Sequence, residues 1–128
     1  MSTKPLAQKL FIKKGNRVLF VNATNGFIEK LGKLLKEVEI LDEPEDNLDF
    51  IQLFAKNKEE LETLLPKLKN YLNLQGKLWL SYYKGTSKIK TDINRDTINE
   101  YGQSLGLKGV AMISIDDDWS ALRFNIIA

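Results

Sequence analysis

The chain has 128 residues, of which 43% are hydrophobic and 28% are charged, and its net charge at pH 7 is +2. This composition is typical of one ordinary globular domain, and so small a net charge does not indicate nucleic-acid binding by bulk charge. Cysteine and histidine are both absent, which excludes thiolate nucleophiles, disulfides, imidazole catalysis and the usual zinc sites.

The hydrophobic pattern predicts an alternation of strands and helices. Strands are predicted where short apolar runs are rich in β-branched and aromatic residues, and helices where apolar side chains recur every three or four positions. In chain order the predicted elements are a strand over 17–22, a helix over 25–35, strands over 38–41 and 49–55, a helix over 58–72, a strand over 77–83, a helix over 93–105, and strands over 109–116 and 119–127.

Single residues predict where the later helices begin and bend. Asn57 is placed to cap the second helix, and Asp92 or Asn94 to cap the third, because their side-chain oxygens accept free backbone N–H groups. Pro66 lies inside the second helix and is expected to kink or split it, since proline removes one backbone donor. The short polar link between the last two strands predicts an antiparallel hairpin.

The order of elements predicts an α/β protein. Parallel strands joined by right-handed crossovers place helices on both faces of the sheet. We therefore expect one three-layer domain over residues 1–128, with a mostly parallel, doubly wound sheet of about six strands and a C-terminal antiparallel β-hairpin. No long apolar run and no secretory signal pattern is recognised, which predicts a cytoplasmic protein with no membrane partner.

Three segments of the chain carry a resemblance: KGNRVLFVNATNGF, LWLSYYKGTSKIKTDINRD and WSALRF. They resemble a family of short, uncharacterised bacterial proteins related to class I S-adenosylmethionine-dependent methyltransferases. Together with the order of elements, this resemblance implies a reduced, methyltransferase-like Rossmann fold over nearly the whole chain. One strand and helix of that fold are expected to be missing between Leu41 and Asp49. The resemblance implies S-adenosylmethionine as the cofactor to consider.

The turn after the first strand is where such a domain would approach its cofactor. The resemblance implies closely spaced glycines there, but only Gly26 is present, and Asn22 stands near the expected acidic residue or first glycine. Asn22 is therefore the first candidate cofactor residue. The alternative, which we favour from the sequence, is that Asn22, Thr24 and Asn25 complete the turn and cap the helix.

At the end of the second strand, the resemblance implies a carboxylate that binds the cofactor ribose. Asp42 or Glu43 occupies that place. Because five carboxylates lie between residues 42 and 49, the alternative is an acidic loop exposed to solvent.

The loop before the third helix is a second candidate site. It concentrates the candidate ligand-binding residues Lys84, Ser87, Lys88 and Arg95. Cations, hydroxyls and backbone donors are the groups that a phosphate or carboxylate needs. The alternative is an exposed basic loop, and the sequence weights the two equally.

The remaining acidic groups suggest a cation site or a subunit contact. Asp116, Asp117 and Asp118 could bind a hard cation, but adjacent carboxylates on a turn seldom converge on one ion, so we predict no metal site. The acidic loop 42–49 and the basic loop 84–95 could pair between subunits of an oligomer. The partner is otherwise an unidentified small molecule or protein.

These observations predict a small noncatalytic ligand-binding or interaction module on a methyltransferase-like scaffold with a degenerate cofactor loop. The alternative is an S-adenosylmethionine-dependent methyltransferase of unknown substrate. A third hypothesis is an enzyme or sensor that recognises a phosphorylated small molecule through the basic loop.

Overall fold

The computed structural model describes residues 6–127 as a six-stranded sheet with helices on both faces. Residues 1–5, on which part of the signal-sequence expectation rests, lie outside the described residues. The strands are β1 (Arg17–Val21), β2 (Glu39–Leu41), β3 (Leu48–Phe54), β4 (Leu72–Tyr83), β5 (Leu107–Ser114) and β6 (Trp119–Ile126). The α-helices are α1 (Leu6–Lys9), α2 (Lys58–Leu68) and α3 (Arg95–Ser104), and 3₁₀ segments cover Ile28–Lys36 and Lys69–Tyr71.

The sheet has the strand order β2-β1-β3-β4-β6-β5. The first four strands in that order are parallel, while β6 runs antiparallel to both β4 and β5. The predicted α/β class, the doubly wound sheet and the terminal hairpin are therefore confirmed. β3 lies in the interior of the sheet, which explains its nearly continuous apolar sequence LDFIQLF.

Each face of the sheet has its own apolar core. On the face covered by α2 and α3, which we call the α2 face, Leu19, Leu53 and Leu78 are buried. On the other face, which we call the α1 face, α1 and the first 3₁₀ segment cover Val18 and Trp79. Successive residues of a strand point to opposite faces, so β1 and β4 contribute to both cores.

The segment after β1 differs from the predicted helix over 25–35. It is a 3₁₀ segment that begins only at Ile28 and breaks at Gly32, whose φ and ψ are 63° and −132°. The predicted side-chain cap is wrong, because the first turn has no capping side chain. The Phe27 ring is buried against Phe54 with centroids 4.9 Å apart, and this packing holds the chain on the sheet before the helical turn begins.

The α2 helix runs through Pro66 without the predicted break and ends at Leu68. Proline cannot donate a backbone hydrogen bond to the carbonyl of Glu62, one turn earlier. The Tyr101 hydroxyl, from α3, lies 3.5 Å from that carbonyl oxygen and donates to it instead. A partner from the neighbouring helix thus reduces the cost of the missing donor.

The predicted caps of α2 and α3 are largely confirmed. Asn57 accepts the backbone N–H of Glu60 at 2.9 Å, and Asn94 accepts that of Thr97 at 2.9 Å. Asp92, the alternative cap of α3, instead accepts the backbone N–H of Lys58 at 2.7 Å.

The β4 strand begins five residues before the predicted start at residue 77, so Gly76 lies inside it. A Cβ at Gly76 would stand 3.0 Å from the carbonyl oxygen of Leu48. This close approach coincides with a shift of register between β3 and β4, which a glycine accommodates. Among residues 6–127, no helix is both long enough and apolar enough to cross a bilayer.

Candidate functional site

The connection from β2 to β3 contains no helix and crosses β1 as residues 42–47. Arg17 holds this connection on the α2 face: its guanidinium donates to the carbonyl oxygen of Asp46 at 2.7 Å and to Glu45 Oε1 at 3.2 Å. The backbone N–H of Arg17 also donates to Asp49 Oδ2 at 2.8 Å. Two carboxylates of the acidic loop therefore have structural partners, while residues 42–47 are all exposed, as the alternative of a solvated loop predicts.

A cavity of about 370 Å³ lies beside this connection, at the carboxyl ends of β1 and β2. Ligand pockets are typically about 300–1,000 Å³, so the cavity is large enough for a small ligand. In open α/β sheets, ligands bind at the carboxyl ends of the strands, near the point where the strand order reverses. The cavity is lined by Leu19, Phe20, Val21, Asn22, Asp42, Pro44, Leu64, Lys67, Leu68 and Tyr71.

Asn22 forms the rim of this cavity where β1 ends. Its φ of 58° is in the left-handed region, which glycine adopts without strain and asparagine tolerates better than most residues. Its side chain is exposed and makes no hydrogen bond to any other described residue. The amide is therefore free to contact a ligand, which the interpretation of the turn as only structural did not require.

Asp42 lines the same cavity from the end of β2. Its carboxylate is exposed and makes neither a hydrogen bond nor an ion pair with the described part of the chain. Glu43 is also exposed but does not line the cavity. The structure thus brings Asn22 and Asp42 together and leaves Glu43 outside.

The loop after β4 contains a groove of about 480 Å³ that Lys84 and Arg95 both line. Lys84 Nζ donates to Ser114 Oγ at 2.6 Å, which fixes the position of the ammonium group. Arg95 is exposed, with its Nε 3.4 Å from Asp96 Oδ1. These two cations therefore remain near enough to one groove to meet an anionic ligand.

The other two candidates of this loop do not line this groove, but Ser87 and Lys84 both line a neighbouring cavity of about 320 Å³ in the same loop. Ser87 is buried: its hydroxyl donates to Asp118 Oδ1 at 2.9 Å and accepts the backbone N–H of Ile89 at 3.1 Å. This hydroxyl holds the loop against the hairpin tip and is already engaged. Lys88 is exposed and lines neither of the two cavities of this loop.

Two of the three carboxylates of the hairpin tip, those of Asp116 and Asp118, have structural roles. Asp116 Oδ1 accepts the backbone N–H groups of Asp118 and Trp119, each at 2.8 Å. Within residues 6–127, no three or more acidic side chains converge in a way that could hold a metal ion.

The groove that Lys84 and Arg95 line also contains Tyr82, which no sequence motif identified. Burial raises the pKa of Tyr82, and its hydroxyl lies 3.2 Å from Met112 Sδ. The phenol is therefore neutral at physiological pH and contributes a polar but uncharged wall.

Comparisons with known proteins identify the fold. No family model and no curated protein matches the chain. Among solved structures, the chain is similar to an S-adenosylmethionine-dependent methyltransferase from Aquifex aeolicus, with 16% identity, a TM-score of 0.66, and coverage of 95% of this chain and 88% of that one.

Two further solved structures agree with that match. One is the ribosomal protein L11 methylase from Lactobacillus delbrueckii subsp. bulgaricus, with 13% identity, a TM-score of 0.62, and coverage of 94% of this chain and 74% of that one. The other is a TehB-like methyltransferase from Corynebacterium glutamicum, with 10% identity, a TM-score of 0.56, and coverage of 93% and 84%. At these identities the likeness establishes the fold alone. The chain has a reduced fold of the class I S-adenosylmethionine-dependent methyltransferases, in which β2 connects to β3 without a helix.

Proposed function

We propose that this protein binds S-adenosylmethionine in the cavity at the ends of β1 and β2 and acts as a small methyltransferase. The observation that carries the proposal is that Asn22 and Asp42, from different strands, line one cavity with their polar groups unengaged within the described residues. The methyltransferase structures of similar fold support the choice of cofactor.

The groups around the cavity fit the parts of an adenosyl compound. The carboxylate of Asp42 can accept hydrogen bonds from both hydroxyls of a ribose. Leu19, Val21 and Tyr71 supply apolar and aromatic surface for a flat adenine ring. The amide of Asn22, which both donates and accepts, suits the amino-acid portion of the cofactor.

The methyl acceptor is proposed to enter through the groove that Lys84 and Arg95 line. Adjacent strands lie about 4.8 Å apart, so β1 and β4, separated only by β3, run about 10 Å apart. Val21, at the end of β1, is level with Leu80, and β4 continues three residues further to Tyr83, directly before Lys84 of the groove. When bound, S-adenosylmethionine supplies an electrophilic methyl group, and its transfer to an acceptor leaves S-adenosylhomocysteine. The two cations favour an acceptor that carries a carboxylate or a phosphate.

Asp42→Asn is expected to weaken binding of S-adenosylhomocysteine at least tenfold in titration calorimetry. Hydrogen bonds to a charged group contribute about 1.5–3 kcal/mol, and the substitution removes the charge while keeping the size of the side chain. Glu43→Gln is the matched control, because Glu43 is exposed in the same loop but outside the cavity. Equal affinities for wild type and Asp42→Asn, or no binding to the wild type, would contradict the proposed cofactor site.

The Asn22→Gly substitution removes the side-chain amide of Asn22 while allowing the left-handed backbone conformation to remain. Glycine adopts the left-handed φ without strain, so we expect the variant to keep the thermal stability of the wild type while its affinity for S-adenosylhomocysteine falls several-fold. Asn22→Ala should lose about 1 kcal/mol of stability as well, because alanine is strained at this φ. If Asn22→Gly binds as tightly as the wild type, the amide plays no part in binding.

A noncatalytic binding module on the same scaffold is the second candidate. It is favoured by the turn after β1, where Gly26 is the one glycine, so that side chains occupy the remaining positions. The methyltransferase requires both cofactor binding and turnover, whereas the module requires neither. Formation of S-adenosylhomocysteine in a panel of carboxylate- and phosphate-bearing acceptors supports the enzyme, whereas tight binding without turnover across the panel supports the module.

A further inference from the structure

A basic and aromatic surface lies on the α1 face of the sheet, apart from the candidate cofactor cavity and the Lys84–Arg95 groove. β4, β5 and β6 contain no aspartate or glutamate. Their three basic residues, Lys77, Lys108 and Arg123, all stand on the α1 face. Arg123 lies directly opposite the buried Trp79 in the pairing of β4 with β6. Lys108 lies opposite Asn125, two residues after Arg123, and Lys77 lies two residues before Trp79, so both stand on the same face as Arg123. The charged side chains of these three neighbouring strands are therefore all positive and share one face.

Arg123 has aromatic neighbours in place of an anionic partner. Its guanidinium carbon lies 5.0 Å from the ring centroid of Phe11 and 5.9 Å from that of Trp79. Its Nε is buried and has no hydrogen-bond acceptor among the described residues. Arginine keeps its charge at every physiological pH and carries five N–H donors, so this group is prepared to receive an anion.

Phe11 is held over Arg123 by a strained backbone. Its φ of 59° is in the left-handed region, where a bulky residue is rare, yet its side chain remains 50% exposed. The neighbouring Leu10 is fully buried, and its carbonyl oxygen accepts a hydrogen bond from Trp79 Nε1 at 3.0 Å. One face of the Phe11 ring thus contacts the guanidinium while the ring remains accessible to a flat ligand.

More cations and a cavity surround this pair. Burial lowers the pKa of Lys77, and the nearby charges of Lys13 and Arg123 lower it further, with Asp49 acting in the opposite direction. Asp49 already accepts hydrogen bonds from Arg17 and Asn73, so its charge is shared. A cavity of about 470 Å³ lies beside the ring and is lined by Gln8, Lys9, Phe11, Ile12, Lys13 and Ile113.

We propose that the surface formed by Phe11, Lys13, Lys77, Lys108 and Arg123 binds single-stranded nucleic acid. One base would stack on the exposed part of the Phe11 ring, and backbone phosphates would lie beside the four cations. An aromatic platform within a basic groove is how single strands are bound without sequence preference. An acidic peptide would neutralise the cations but leave the exposed ring unused. The positive charge is local to this surface, which the net charge of the chain does not reveal.

The test is fluorescence anisotropy of a labelled twelve-nucleotide oligouridylate with the full-length protein at two salt concentrations. We expect saturable binding that weakens as salt rises. Phe11→Ala should reduce the affinity about tenfold, since one stacked base contributes about 1–3 kcal/mol. Lys77→Gln should reduce the slope of the logarithm of affinity against the logarithm of salt concentration by about 0.7, the value for one phosphate contact on a single strand.

Three further variants keep the result interpretable. Lys58→Gln makes the same charge change in α2, which lies on the opposite face of the sheet, and should bind as the wild type does. Lys108→Gln changes an exposed side chain of the proposed surface and should reduce the salt slope as Lys77→Gln does, which guards against loss of folding in the variants nearer the core. Asp42→Asn should leave oligonucleotide binding unchanged, so that failure of the cofactor proposal and failure of this one are distinguishable.

Four outcomes would overturn the proposal. The first is the absence of saturable binding by the wild type at low salt. The second is equal affinity of wild type and Phe11→Ala, because an electrostatic surface without stacking would behave in that way. The third is equal or tighter binding of a poly-glutamate peptide of the same length, and the fourth is equal or tighter binding of vesicles rich in anionic lipid.

Discussion

Trp79→Ala is expected to lower the free energy of unfolding by about 3–5 kcal/mol, the usual cost of truncating a buried tryptophan. Trp79 is fully buried in β4, and its indole N–H donates to the carbonyl oxygen of Leu10. The substitution therefore leaves a cavity and also frees the N-terminal segment from the sheet. Because Trp79 is one of the two rings beside Arg123, the substitution should also make the packing of Phe11 and Arg123 less ordered.

Urea denaturation followed by circular dichroism measures this loss. Leu74→Ala in the same strand is the control, because Leu74 is 77% exposed and its truncation should change stability by less than about 0.5 kcal/mol. A loss of less than 1 kcal/mol for Trp79→Ala, or a loss equal to that of Leu74→Ala, would show that the indole does not hold the N-terminal segment around Leu10 on the sheet.

Gly102→Ala is expected to destabilise the protein by about 2 kcal/mol, although alanine is the better helix former. Gly102 is buried in α3, and a Cβ at this position would stand 2.4 Å from Cε1 of Phe124. Phe124 is itself fully buried, so its ring can yield only by disturbing the core of the α2 face. Overpacking therefore outweighs the gain in helix propensity.

Thermal unfolding of Gly102→Ala is best compared with Gly85→Ala. Gly85 has an ordinary φ, and a Cβ there would have no atom within 4 Å, so its replacement by alanine should leave the stability unchanged. Phe124→Leu combined with Gly102→Ala should recover part of the loss, since the smaller side chain removes the clash. A Gly102→Ala protein that melts at or above the wild-type temperature would show that helix and sheet are less closely packed than the structure indicates.

The fold was predictable from the sequence because burial leaves periodic signals. The apolar run of β3 indicates an interior strand, and in β6 Trp119 and Ala121 alternate with Leu122 and Phe124, which pack on the opposite face. Local signals failed where tertiary contacts decided the outcome. The 3₁₀ segment after β1 depends on the packing of Phe27 against Phe54, which no local pattern shows.

The candidate site was only partly predictable for the same reason. The resemblance selected Asn22 and Asp42, but their meeting at one cavity depends on the path of residues 42–47 across β1. Ser87 had the right chemistry for a ligand, yet Asp118, 31 residues away in sequence, engages its hydroxyl. A long-range partner of this kind leaves no signal in the residues around either member.

The basic and aromatic surface was missed because its parts are distant in the chain. Phe11 and Arg123 come from the two ends of the sequence, and each looks ordinary in its own segment. The overall charge of +2 conceals the surface, since the acidic loop between β2 and β3 balances it. Only the sheet register shows that the cations of β4, β5 and β6 share one face.

The central claim is that an adenosyl cofactor binds where β1 and β2 end, and nuclear magnetic resonance of isotope-labelled protein tests it most directly. On titration with S-adenosylhomocysteine, the account predicts that the largest backbone amide shifts occur at Val21, Asn22, Asp42 and Tyr71, around the cavity. Shifts confined to the Lys84–Arg95 groove or to the surface around Phe11, or the absence of shifts at saturating ligand, would contradict it.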